Sequence, residues 1–172
     1  AITYETRQLN GSFDYTSDFK GAPNANLDKA WTSITNGQII RIQEGDFAML
    51  NKTAASAVQL SKTQGGGYMA SVEVFHQLHC LDIIRKFTYR EYYQDRDPMF
   101  HKSNQEELVH HKVIDHCVDI LRQFLMCTGD VGLITYHKLE GRKNPMPDFS
   151  TMHKCRKFDD IVNWVEEHRV VI

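Results

Sequence analysis

His79-Cys80-Leu81-Asp82-Ile83-Ile84-Arg85-Lys86-Phe87 and His116-Cys117-Val118-Asp119-Ile120-Leu121-Arg122-Gln123-Phe124 are two copies of one pattern. Six of the nine positions are identical, and the other three exchange Leu for Val, Ile for Leu and Lys for Gln. Ile83/Ile120 and Phe87/Phe124 recur at spacings that suit a shared helix–helix seam. Asp82 with Arg85, and Asp119 with Arg122, stand at i, i+3, where opposite charges on a helix meet. Such a repeat predicts two helices packed about a pseudo-twofold axis. Each then presents a His-Cys pair to the same central space.

Working outward, the first copy belongs to a helix from about Val72 to Tyr93. It must stop before Asp97-Pro98, because proline excludes the residue before it from helical backbone. The second copy belongs to a helix opening at Ser103, where Ser103-Asn104-Gln105-Glu106 has the form of a capping box. It ends near Cys127, with Gly129 as its C-terminal stop. Leu27, Ala30, Trp31 and Ile34 fall at i, i+3, i+4 and i+7 and mark a shorter helix upstream. Phe158, Ile161, Val162 and Val165 mark a last one. The residues up to about Pro23 read as extended or loop, Ile39 to Ile42 as a brief strand, and Gly65-Gly66-Gly67 as a flexible break. No sheet of any length is expected after that break, and Gly132 to Ser150 reads as loop. The expected fold is mainly α: two long repeat-related helices, an extended N-terminal segment, and short or no sheet.

The bulk numbers agree with one domain over residues 1–172. Hydrophobic residues make up 41% and charged residues 24%, the balance of an ordinary globular protein. A net charge of −2 gives no polybasic surface for nucleic acid or an anionic membrane. No apolar run is long enough to span a bilayer, and a chain that begins at Ala1 is expected to have lost a leader, anchor or tag. Asn10-Gly11-Ser12 and Asn51-Lys52-Thr53 are glycosylation sequons at Asn10 and Asn51, in keeping with a secretory lumen.

Nine histidines in 172 residues is an excess that points to metal. The first copy extends backwards as His76-Gln77-Leu78-His79-Cys80, and at about 100° per residue His76, His79 and Cys80 share one helix face. Two imidazoles one turn apart make a clamp for zinc, copper or iron. Asp82, one turn beyond His79, and Asp119 in the second copy are candidates to orient a ring nitrogen. An isolated pair at this spacing is more often a solvated or core pair; the repeat shifts this one towards metal. The second copy has no matching histidine, since Val113 stands three residues before His116. His110 and His111 lie about 120° and 140° away from His116 on an ideal helix. A π-bulge would bring His111 and His116 onto one face, which favours His111 over His110. His153, near Cys155, is a further candidate ligand, while His101, His137 and His168 read as solvated. Phe87, Tyr89, Tyr92 and Tyr93 read as helix packing.

With these residues in view, the chain resembles the UstYa-like family of fungal secondary-metabolite oxidases. Glu73-Val74-Phe75-His76-Gln77-Leu78-His79-Cys80-Leu81 resembles the family's first HxxHC motif. Asp115-His116-Cys117-Val118-Asp119-Ile120-Leu121-Arg122-Gln123, with Leu125-Met126-Cys127 and Asp130, resembles its second. His153-Lys154-Cys155-Arg156-Lys157-Phe158-Asp159 with Trp164 is similar to its closing segment. Gly21-Ala22-Pro23 and Asp28-Lys29-Ala30-Trp31 are similar to its opening. Val113 departs from the second motif. The resemblance implies copper, one or two ions, with dioxygen as co-substrate, and oxidation of C–H bonds in a small-molecule or peptide natural product: cyclisation, hydroxylation, desaturation or halogenation. It also implies an N-terminal membrane anchor with this domain in the lumen, and a second copy or a paralogue as partner.

In an oxidising lumen four cysteines more often form two disulfides than supply thiolates. Cys117 and Cys127 are about 15 Å apart along one helix and cannot bridge each other. Cys80 and Cys117 are repeat-related and are placed to meet across the axis, which leaves Cys127 for Cys155. The competing reading makes Cys80 and Cys117 soft copper ligands. Two other functions stand beside the oxidase. One is a non-catalytic helical partner stapled by metal or disulfides. The other is a zinc hydrolase, weakened because Gln77 occupies the place where HExxH carries its general base.

Overall fold

The computed structural model describes residues 2–101 and 109–171, and for 109–111 the backbone alone. In chain order the elements are β1 (Tyr4–Gln8), α1 (Ala25–Thr35), β2 (Ile40–Ile42), α2 (Asp46–Met49), β3 (Tyr68–Ala70), α3 (Glu73–Phe87) and α4 (Arg90–Tyr93). A π-helical segment, Val109–Ile114, runs directly into α5 (Asp115–Thr128). Next come β4 (Thr135–His137), β5 (Met146–Asp148), β6 (Met152–Arg156) and α6 (Phe158–His168). Helix dominates, and the strands form three two-stranded antiparallel ladders, β1–β6, β2–β3 and β4–β5.

The repeat-bearing helices α3 and α5 pack on each other, and their seam is the main core. Cys80, Ile83, Tyr93, Phe100, Ile114 and Cys117 are buried there, with Ile84, Phe87, Ile120 and Val113 against them. Cys80 and Cys117 are among the most buried side chains, at 1% and 2% exposure, and they meet in this seam. Phe124 departs from its repeat mate: Phe87 is half-buried in the seam, whereas Phe124 is 39% exposed. A second cluster of Ile40, Phe75 and Val165 joins β2 and α6 to the first turn of α3.

Local chemistry sets the element ends. Asn24 caps α1 by accepting from the backbone amides of Asn26 and Leu27. Gly129 closes α5 in the left-handed region (φ 47°), and its amide donates to the Leu125 carbonyl. The helix expected from Val72 to Tyr93 is broken, because Tyr89 leaves helical geometry (φ −121°, ψ 37°) before α4 resumes. That break turns Tyr93 into the core, with its hydroxyl on Asp28 and Arg85. The capping box expected at Ser103 lies outside the described residues.

The late segments hold more strand than expected. The five residues of β6 pair with β1, Tyr4 opposite Arg156 and Gln8 opposite Met152. β4 and β5 make a small hairpin inside the stretch expected to be loop. Among the described residues no helix is long and apolar enough to cross a membrane.

Candidate metal centre

At the N-terminal ends of the paired helices, His76 and Cys80 from α3 meet His116 from α5. One donor atom of each lies within 4.8 Å of the others. The His76 and His116 rings are 5.7 Å apart between centroids and tilted by 39°. The Cys80 Sγ is 3.8 Å from Nε2 of His76. Burial grades across the trio: Cys80 is buried, His76 half-buried and His116 exposed. The centre therefore has a dry side and an open side.

Glu73 holds the far nitrogen of His76, with Oε1 3.3 Å from Nδ1. With Nδ1 turned to that carboxylate, Nε2 is the ring nitrogen left for the trio. The sequence reading missed Glu73, although its signal was available: a glutamate three residues before a histidine on one helix. Cys117 stands behind Cys80, and its thiol is pushed up to about 12 by burial and by the hydrogen bond with Cys80. It is a neutral thiol at neutral pH. All four cysteines are unbridged: Cys80 and Cys117 meet as expected but as thiols, Cys127 is exposed and Cys155 half-buried.

The other expected site residues are placed as follows. His79 is exposed and stands outside the trio. The seam runs along His76, Cys80, Ile83 and Phe87, and His79 lies about 100° around the helix from Cys80. Among the described residues Asp82 orients no histidine. It faces α1 and gives its oxygens to Arg85 (2.8 Å) and Lys86 (3.5 Å). Asp119 likewise accepts from Arg122 and Gln123, which hold its carboxyl below the usual range. His153 is fixed in β6 with both ring nitrogens engaged, Nδ1 at 2.9 Å from Asp130 and Nε2 at 2.7 Å from Thr151. It does not join the trio. His168 stacks on Trp164 and bonds its carbonyl.

The backbone before His116 has the π-helical register on which the expectation for His111 rested. The side chains of His110 and His111 lie outside the described residues. Val113 packs against the Cys80/Cys117 core, so the position lacking a histidine is an apolar packing position. Asn10 and Asn51, the sequon asparagines, are both exposed.

Two imidazoles and a thiol are a donor set for copper or zinc; hard cations such as magnesium and calcium take oxygen instead. The residues present therefore fit a soft or borderline metal. Beside the trio, Val72, Val74, Gln77, Phe124, Ile161 and Trp164 line an apolar groove of about 460 Å³, with Glu73 at its edge. Glu73 thus touches both the groove and His76.

The family model for mycotoxin biosynthesis protein UstYa matches residues 1–168. The chain is 31% identical to the UstYa family oxidase phomYc of Diaporthe leptostromiformis, over 90% of this chain and 60% of that protein. It is 31% identical to the UstYa family oxidase aprY of Aspergillus flavus, over 98% of this chain and 52% of that protein. A relative named transacylase cctO, from Talaromyces islandicus, is 28% identical over 99% of this chain and 58% of its own length. The chain thus spans half to three-fifths of these relatives. No solved structure matches. With a family match that runs nearly end to end over the helices carrying the trio, the chain belongs to the UstYa family of mycotoxin biosynthesis proteins.

Proposed function

We propose that this domain is a copper-dependent oxidase acting on C–H bonds in fungal natural-product biosynthesis. The observation that carries the reading is the convergence of His76, Cys80 and His116 at the repeat axis, beside an apolar groove. The relatives named oxidases support the reaction class. His76 and His116 would hold the metal through ring nitrogens, with the Cys80 sulfur as a soft third donor. Bound copper supplies one-electron chemistry with dioxygen as co-substrate. Glu73 holds Nδ1 of His76, and Cys117 keeps the inner side of the centre neutral and dry. The groove admits an apolar substrate and excludes water from it. A place in the secretory-pathway lumen, glycosylation at the exposed Asn10 and Asn51, and a membrane anchor preceding this domain belong to the same proposal.

Metal analysis and oxygen uptake of the full-length protein, expressed in a fungal host, extracted from its membranes with detergent and purified without added metal, test it. Copper as the resident metal, with uptake that stops on chelation and returns with copper, is the expected result. Zinc as the resident metal, with no uptake after copper loading, sinks it.

One observation favours a second reading, a helical partner protein. The outer face of α5 leaves Val118, Leu125 and Met126 exposed, the last two at 69% and 70%. A second copy or a paralogue would cover such a face. Oxygen uptake that appears only when a paralogue is added favours this reading.

A further inference from the structure

Gln77 is only 7% exposed, and its amide nitrogen finds no hydrogen-bond partner among the described residues. It is the one buried side-chain nitrogen or oxygen among the described residues in that condition. A buried donor left unpaired costs free energy, so folded proteins rarely keep one without a use. Its position supplies a use. Gln77 lines the groove bounded by α3, α5 and α6, whose apolar walls are Ile2, Val72, Val74, Phe124, Ile161 and Trp164. It is also the next residue after His76.

We propose that Gln77 is a substrate-positioning residue. Its amide donates a hydrogen bond to a neutral acceptor oxygen, of the carbonyl type, on an apolar group seated in the groove. Charge argues for a neutral ligand. The groove's edge carries the carboxylates of Glu73 and Asp160 against the single guanidinium of Arg156. An anion there meets more like charge than opposite charge, and a buried ion facing a neutral amide lacks a counter-ion. The volume, about 460 Å³, lies within the range of small-molecule sites. A carbonyl fixed at Gln77 lies in the groove that Glu73 also lines, and Glu73 holds His76. Through that adjacency the inference rests on the proposed oxidase reading, but the hydrogen bond itself needs no metal.

The test uses metal-depleted protein, so that a failed groove and a failed metal centre are told apart. Binding of cyclohexyl methyl ketone and of its alkene counterpart, isopropenylcyclohexane, is followed through Trp164 fluorescence, with Trp164→Phe as the signal control. In the wild type the ketone binds more tightly. In Gln77→Met the ketone weakens by about tenfold, as loss of one hydrogen bond predicts, while the alkene is held at least as well. The free variant is as heat-stable as the wild type or more so, because an unpaired buried donor has been removed, and its copper content after loading is unchanged. Equal binding of ketone and alkene by the wild type overturns the proposal. So does a Gln77→Met variant that melts well below the wild type, which would give Gln77 a structural partner. Absence of any probe signal, or a signal set by protein concentration, also overturns it and assigns the groove to a preceding segment of the chain or to a second copy.

Discussion

The two copies of the repeat carry the same ion pair in opposite surroundings. In α3, Arg85 donates to Asp82 (2.8 Å), Asp28 (2.9 Å) and Tyr93 (2.8 Å), and its side chain is 11% exposed. It also lies over the rings of Trp31 and Tyr93. In α5, Arg122 pairs with Asp119 at 2.7 Å, yet its side chain is 53% exposed. The difference is α1. That helix covers the outer face of α3 and brings Asp28 and Trp31 to it, while the equivalent face of α5 has no such cover among the described residues. Identical local sequence therefore gives one buried network and one solvated pair. A repeat sets what each helix can form, and the element packed on it sets the energy.

Arg85→Ala is the most damaging single change expected. It leaves Asp82 and Asp28 short of their shared cation, and breaking a buried pair from one side costs about 3–5 kcal/mol. In a chain of this size that is on the order of 10 °C in Tm, readable by calorimetry. A cost no greater than that of the α5 pair would break the comparison.

Tyr93→Phe comes next. Its hydroxyl donates to Asp28 at 2.6 Å and accepts from Arg85. Hydrogen bonds to charged groups are worth about 1.5–3 kcal/mol. The same phenol is pushed up to about 12 by burial and by the bond to Asp28. Its contribution is therefore complete below the ordinary tyrosine range near 10, and is lost as pH rises through about 12. Absorbance titration should show a late phenol that is absent in Tyr93→Phe.

Arg122→Ala is the smallest effect: the pair is exposed and screened by water and salt, so Tm stays close to that of the wild type. A larger loss, growing with protein concentration, would mean that a partner subunit buries this pair. The comparison would then hold only for the isolated domain.

The contrast also marks how far the sequence could be read. The repeat made the α3–α5 pair, the Cys80–Cys117 meeting and the His76–His116 approach legible, because all three follow from helical periodicity. The π-helical register ahead of His116 was legible from the spacing to His111. The role of Asp82 was not, since a helix face is assigned only when its covering element is known, and Asp28 of α1 lies 57 residues before Arg85. His79 stands outside the trio for a related reason. Within a shared face the seam chose Cys80, and one residue of helical phase moved His79 out. The β1–β6 ladder pairs two five-residue strands from opposite ends of the chain, a non-local match with no local turn signal. Glu73 was visible in the sequence and passed over; Gln77 was read only as the absence of a catalytic glutamate.

Copper loading of the wild type beside His76→Ala/His116→Ala and His79→Ala, with bound metal measured by plasma mass spectrometry after gel filtration, tests the central claim most directly. The account predicts stoichiometric copper in the wild type, retained in His79→Ala and lost in His76→Ala/His116→Ala, with all three equally folded by circular dichroism. Copper retained by the His76/His116 variant, or lost only when His79 is changed, would contradict it.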